Sequence, residues 1–418
     1  MEKIGIIGAG ITGLFSALNL ALDGYNVTLF DRDYIISGTS GKFHGMLHSG
    51  SRYSVNDSQS AKECIQENQL LSATASSFIK NTGGYYLALN DEEAEYGDRL
   101  IAKNRENGIP TDELTVNEML DVEPGINKNI TRALHVPDKV IYAHPFAAAV
   151  AVEAKMLGVN LKFKTEITGG DRRGNSIESL KYTSRNKTFS EKFDYIINTT
   201  GPWSGHLLES FGIKDFEVMP TLGYMASFDR LFSNSILNRM RDPSDGDILL
   251  PYGSMSVAGT VAIISEDVEN NDIDPEDLDT MLSEVAQMVP SLTAHRYKKL
   301  YSSMRPLVRE ENSRSSRDFK IYRNMDNVFS IIGGKFTTSR LMGQAISQKI
   351  SEITGSKSMD TSKIVLNDTF DRFMDRYRNQ INMGFMNYIS SYGNSMDYGY
   401  LSQIESAFIF NEAIRVGD

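Results

Sequence analysis

Cysteine is almost missing from these 418 residues: Cys64 is the only one. That excludes a disulfide within the chain and an iron–sulfur cluster held by its own thiolates. It also points to a reducing, intracellular compartment. Cys64 lies in AKECIQENQLL, a helical pattern, and reads as a small packed apolar side chain. Positive charge is short as well. With 43 lysines and arginines against 54 acids, the formal net charge is −11. A binder of nucleic acid or of an anionic membrane is therefore disfavoured. Apart from residues 4–22, no segment is apolar enough for long enough to span a bilayer. No internal repeat or low-complexity linker is visible. No two histidines and an acid have metal-ligand spacing on a helix, so no metal is expected. The length accommodates two domains with sizeable cores.

What is present begins at the N-terminus. KIGIIGAGITGLFSALNLALDGYNVTLFD reads as a strand over 3–7, a glycine turn, a helix over 11–23 and a strand over 26–31. In such a βαβ unit Gly8 makes the tight turn, Gly10 lets backbone approach a pyrophosphate, and Gly13 lets the helix pack closely on the strand. The helix N-terminus then offers free N–H groups to phosphates. Asp31 ends the second strand 18 residues after Gly13, where an acid holds ribose hydroxyls. A signal or membrane anchor is the other reading of the uncharged run. Three glycines, and Lys3 as its only basic flank, argue against that.

Further along, helices are expected over 58–80, 91–107, 145–157 and 339–354. Strands are expected over 85–90, 160–167, 192–199, 248–251, 257–264, 319–323 and 328–333. Strands of βαβ type at both ends, with mixed strands between, imply a nucleotide domain in separated segments carrying a sheet-rich insertion. Residues 265–284 hold nine acids and no lysine or arginine. They read as a cation or partner site, or more blandly as a solvated loop leading into a helix. Asp274-Pro275-Glu276 has the look of an N-cap, a proline at the first helical position and a first-turn acid. Residues 296–323 are the reverse, with nine cations against three acids. Arg305 sits there in the small, apolar SSMRPLV. An anionic substrate, a structural ion pair and a solvated face all remain open on composition.

The segment 37–71, SGTSGKFHGMLHSGSRYSVNDSQSAKECIQENQLL, closely resembles FAD-dependent glycerol-3-phosphate dehydrogenases, above all the anaerobic catalytic-subunit branch. The likeness continues through TGPW at 200–203, DPSDGDIL at 242–249, SMRPL at 303–307 and GGKFTTSR at 333–340, covering roughly residues 1–355. Single pieces occur across the D-amino-acid-oxidase-like flavoproteins; HSGSRY with MRPL and GGKFTTSR is specific to the glycerophosphate branch. The resemblance implies an α/β fold. Its parts would be a Rossmann-like, glutathione-reductase-like FAD domain, an inserted mixed β-sheet substrate domain and a short helical C-terminal tail. The corresponding ranges are 1–80, 135–215 and 305–360 for the first, 81–134 and 216–304 for the second, and 361–418 for the third.

By the same resemblance FAD is bound non-covalently. Gly8, Gly10, Ile11, Thr12 and Gly13 would cradle its pyrophosphate. Asp31, where the family usually has Glu, would hold the adenosine ribose. Arg32 and the backbone of Ile167 would lie by the adenine. Thr39, Ser40 and Lys42 would line the pyrophosphate–ribityl stretch. His44, Gly45, Leu47, Thr200 and Gly201 would flank the flavin, and Gly334, Lys335, Phe336 and Thr337 would meet its pyrimidine edge. A helix start and an ammonium there stabilise negative charge on the reduced ring. Arg52, Tyr53, Arg305, Arg317 and Lys335 would bind glycerol 3-phosphate, because several cations suit a dianionic phosphate and a developing alkoxide. Arg305, His48 and Lys335 would be the catalytic group, with His48 as the base. A histidine packed beside the flavin and bonded to backbone explains His48 equally well. His144 stands where many relatives have an acid. His135, His206 and His295 read as structural.

The implied reaction is oxidation of sn-glycerol 3-phosphate to dihydroxyacetone phosphate, by hydride transfer from C2 to flavin N5. Electrons would pass to a quinone or a partner protein at the inner membrane face, from a cytoplasmic protein that also has scope to oligomerise. Two rivals remain: a related flavoenzyme acting on a 2-hydroxy acid or an amine, and a non-catalytic flavin-binding subunit. Relatives often continue into a cysteine-rich iron–sulfur domain, which these residues do not include, and many have Gly-Thr-Thr where Gly259-Thr260-Val261 stands. Apolar residues at helical spacing after residue 368, including Phe370, Phe373, Met374, Tyr377 and Ile381, form a stripe. It reads as a helix packed on its own domain or as a docking face for a second subunit or the membrane.

Overall fold

The computed structural model describes residues 2–214, 218–265, 267–270, 272–307 and 318–377. Arg317 and the tail beyond residue 377 lie outside them.

The first βαβ unit forms as its sequence predicts. Strand β1 (Lys3–Ile7), helix α1 (Ile11–Leu22) and strand β2 (Asn26–Phe30) follow one another. β1 lies parallel to β2 on one side and to Tyr195–Asn198 on the other. These are central strands of a six-stranded Rossmann-like sheet, in the order Lys320–Arg323, Val328–Ile332, Tyr195–Asn198, β1, β2, Asn160–Lys162. Only Lys320–Arg323 runs antiparallel, against Val328–Ile332. The strands are apolar on both faces because both faces are covered. Leu14 and Leu18 of α1, Phe146 of helix Ala143–Met156 and Ile346 of helix Ser339–Thr354 share one core with Ile4, Ile6 and Leu29.

A nine-stranded sheet forms the other half. It contains Gly84–Ala88, Arg132–Val136, Met219–Phe228, Ile248–Tyr252, Met255–Gly259 and Lys299–Leu307. Its pairs are antiparallel except for Ile236–Arg239 against Gly84–Ala88. An antiparallel meander, Thr165–Arg173, Ser176–Ser184 and Lys187–Lys192, forms a separate sheet, with Leu180 and Tyr182 packed in one cluster with Ile7 and Phe30 of the six-stranded one.

Three predicted elements are broken. The helix expected over 58–80 is α2 (Ser58–Thr74), followed by a 3₁₀ turn and the short strand Ile79–Lys80. The Phe78 carbonyl accepts from Tyr142 N at 2.9 Å, and Ile79–Lys80 pairs with Lys139–Ile141, so tertiary pairing ends the helix. The strand expected over 160–167 is two strands in two sheets. Lys164 between them has φ 51°, and Thr165 N turns back to donate to Asp31 O at 2.8 Å. The strand expected over 257–264 splits as well. Between the pairs Met225–Gly259 and Leu222–Ile263, one strand advances three residues and the other four. The surplus residue makes a bulge.

Other expectations hold. Helix Ser339–Thr354 has the expected bounds. Asp274 caps helix Pro275–Met288 by accepting from Glu276 N at 2.8 Å. Cys64 is buried in α2, and burial pushes its thiol up to about 12, so it is an inert packed side chain. Among the described residues no helix is long and apolar enough to cross a membrane.

Candidate functional site

A cavity of about 680 Å³ runs from the β1–α1 turn to the nine-stranded sheet, a size ordinary for a cofactor-plus-substrate site. At its outer end the glycines are required by shape. Gly8 has φ +104°, and a Cβ there would lie 2.7 Å from Thr199 O; a Cβ on Gly13 would lie 1.9 Å from Gly8 O. A Cβ on Gly10 would meet only Ser40 Oγ, at 3.4 Å, so that backbone faces open cavity. Ser40 Oγ accepts from Ile11 N, the first residue of α1, at 3.1 Å. The Asp31 carboxylate accepts from Ala9 N at 2.6 Å and from Asp33 N at 2.7 Å. Burial pushes this carboxyl above its ordinary value, and the two amides pull it part of the way back. Each oxygen retains a second lone pair.

Arg32, Thr39, Lys42, Thr200, Gly201 and Ile167 also line this end. Arg32 stacks over Trp203, its guanidinium carbon 4.8 Å from the ring centroid. Both donate to Glu269, the indole at 2.6 Å and the guanidinium at 3.3 Å. Glu269 belongs to the acidic stretch read as a solvated loop; here one of its acids closes over the outer end. His206, read as structural, lines the cavity too.

At the inner end stand His44, His48, Arg52, Tyr53, Arg305, Gly334, Lys335 and Phe336. His44 Nδ1 accepts from Met46 N at 3.0 Å, so its ring proton is assigned to Nε2. His48 is buried, donates its backbone N–H to Thr337 Oγ1 at 3.0 Å, and has Nε2 3.5 Å from the Tyr53 hydroxyl. Phe336 stacks on Phe43 with centroids 4.6 Å apart. Lys335 donates to Ser60 Oγ at 2.7 Å, and its ammonium lies 4.6 Å from the Tyr53 ring centroid. Arg305, on strand Lys299–Leu307, is half-buried and donates from Nη2 to Thr260 Oγ1 and to Val261 O, both at 2.7 Å. The bulge after Gly259 supplies both acceptors. The departure from Gly-Thr-Thr therefore spares this contact, because the Val261 acceptor is backbone.

Four of the expected residues stand behind the wall. Gly13, Gly45, Leu47 and Thr337 do not line the cavity. Gly45 has φ +96° with the Tyr252 ring against it, and Leu47 is fully buried with its carbonyl on Asn68. Their part is in shaping the wall. Sequence reasoning missed Gly223: a Cβ there would fall 2.3 Å from Arg305 Nη2. It also missed Glu269, which the acids around it in sequence concealed. Among the described residues the lining acids, Asp31, Asp33, Glu166 and Glu269, are confined to the outer end of the cavity, where Arg32 and Lys42 accompany them. Arg52, Arg305 and Lys335 face the inner end.

Residues 3–349 match the family model described as FAD dependent oxidoreductase. The chain is 31 % identical to the A1 chain of the anaerobic glycerol-3-phosphate dehydrogenase of Haloferax volcanii, over 84 % of this chain and 63 % of that one. Against the corresponding chain of the anaerobic glycerol-3-phosphate dehydrogenase of Escherichia coli the figures are 30 %, 81 % and 65 %. The chain thus spans less than two thirds of these curated relatives. Among solved structures, the L-α-glycerophosphate oxidase of Mycoplasma pneumoniae with FAD bound aligns with a TM-score of 0.72 at 21 % identity, covering 88 % of this chain and 98 % of that one. The L-proline dehydrogenase of P. horikoshii aligns with the same TM-score at 19 % identity, covering 89 % and 98 %.

Proposed function

The chain belongs to the FAD-dependent oxidoreductase family, and from that premise we propose that it oxidises sn-glycerol 3-phosphate at C2 to dihydroxyacetone phosphate. The residues fit FAD. The open backbone at Gly10, the start of α1 and the second lone pairs of Asp31 suit the pyrophosphate and ribose, and Phe336 lines the inner end. When bound, FAD supplies the acceptor for the C2 hydride, at N5.

The observation that carries the substrate is the inner wall, where Arg52, Arg305 and Lys335 gather with no lining acid among the described residues, Asp247 and Asp318 pairing with Arg52 and Lys335 from outside the lining. Fold alone does not choose, since an L-proline dehydrogenase aligns as well as a glycerophosphate oxidase. A carboxylate substrate needs one arginine; a phosphate dianion beside a developing alkoxide makes use of three cations. Arg52 and Arg305 grip the phosphate, and Lys335 steadies charge at the C2 oxygen. His48 takes the hydroxyl proton on its imidazole, which packs edge-on against the Tyr53 ring with centroids 5.3 Å apart. Arg317 is proposed as a further phosphate ligand. Electrons leave to a quinone or to a partner protein; the naming of the relatives as subunits supports the partner.

The test is anaerobic. Glycerol 3-phosphate should bleach the yellow holoprotein. Bleaching by a 2-hydroxy acid or an amine in its place moves the substrate, and no bleaching by any of them leaves a flavin-binding subunit.

A further inference from the structure

Asp247 lies outside the cavity wall, yet it is fully buried and built around Arg52. Its Oδ2 accepts from Arg52 Nη2 at 3.3 Å and from Ser244 N; its Oδ1 accepts from Arg241 Nε at 2.9 Å. The Arg52 side chain is 7 % exposed and that of Asp247 0 %. Arg52 also donates to Ser244 O at 3.4 Å. The loop keeps this shape because Gly246 takes φ +68° and Asp247 O accepts from Arg239 N at 3.0 Å.

A buried ion pair is weak evidence of stability, because desolvation offsets the attraction. Its value is a fixed geometry. Arg52 sits on a 3₁₀ turn, Ser51–Tyr53, and its long side chain loses much of its freedom once one Nη is anchored from behind. A guanidinium has five donors, and the contacts to Ser244 and Asp247 both come from Nη2, leaving the three hydrogens of Nε and Nη1 for the cavity.

We propose that Asp247 is a positioning residue for the substrate anion: it holds the Arg52 guanidinium so that its remaining donors face the phosphate. This rests on the reading of Arg52 as a phosphate ligand. The acid selects no substrate itself and touches no reacting atom. It fixes one jaw of the anion clamp before substrate arrives, which lowers the ordering cost of binding.

The experiment compares Asp247→Asn, Arg52→Ala and the double variant as holoenzymes, reading KM and kcat for glycerol 3-phosphate and Ki for inorganic phosphate. Asp247→Asn should raise KM and Ki roughly tenfold or more, with kcat changed far less and flavin content kept. In the Arg52→Ala background it should add nothing, because its action passes through Arg52. If Asp247→Asn does not fold, Asp247→Ser, which leaves room for water beside both arginines, takes its place. A native KM and Ki in the Asp247 variant beside an impaired Arg52→Ala overturns the proposal, and so do fully additive losses. Native values in Arg52→Ala overturn the phosphate-ligand reading itself, and the proposal with it.

Discussion

Single residues in the inner cavity are held by unlike means, so they should fail in unlike ways. Arg305 rests on two neutral oxygens. Arg305→Ala should retain FAD and lose roughly 10- to 150-fold in kcat/KM, the worth of a charge-assisted contact of about 1.5–3 kcal/mol. Steady-state kinetics with flavin content measured in parallel decides it; near-native kcat/KM removes Arg305 from the site. Gly223→Ala tests the same guanidinium from behind. A methyl 2.3 Å from Nη2 must displace it, so KM should rise with FAD retained. Arg305 was legible in MRPL. Gly223 was not, since its contribution is the absence of a Cβ facing an arginine on another strand, and no local pattern records that.

At the scale of elements, the N-terminal unit was legible because every level agreed: glycine spacing, apolar strands and one uncharged, largely buried helix. Gly13→Ala should therefore be severe. The added methyl meets Gly8 O at 1.9 Å, so α1 must lift from its strand, and melting temperature and FAD content should fall together. The strand expected over 160–167 was illegible as two, because one alternation of apolar and polar residues, with Leu161, Phe163 and Ile167 in step, runs through both pieces and the divide depends on Asp31, far away in sequence. Helix Ala143–Met156 supplies a pH dependence. Burial lowers His144 to about 4 from 6.5. Neutral His144 therefore favours the folded state above about pH 6.5, and that contribution is lost as pH falls toward about 4. His144→Gln should flatten the fall in melting temperature across that window; an unchanged slope would place the acid sensitivity elsewhere.

For the whole molecule, the division between a nucleotide-binding sheet and a second, mixed sheet was readable from the alternation of elements. The way the two meet was not, because it rests on contacts such as Thr39 Oγ1 to Met304 O and Glu269 to Trp203. The described part of the tail packs on its own domain. Phe373 is 1 % exposed and Arg372 pairs with Glu153 of helix Ala143–Met156 at 2.7 Å. Truncation before Thr369 should lower the melting temperature and loosen FAD. Truncation after Tyr377 should leave bleaching by substrate intact; if it also abolishes transfer to the native acceptor, the docking face lies in the removed residues. The clasp of Arg32 and Glu269 on Trp203 has one more consequence. The chain has a single tryptophan, and it lines the outer end of the cavity. Its fluorescence is therefore a one-site optical reporter. A neighbouring flavin should quench it by energy transfer, stripping the cofactor should restore the emission, and Arg32→Ala should shift the spectrum by letting solvent onto the indole face.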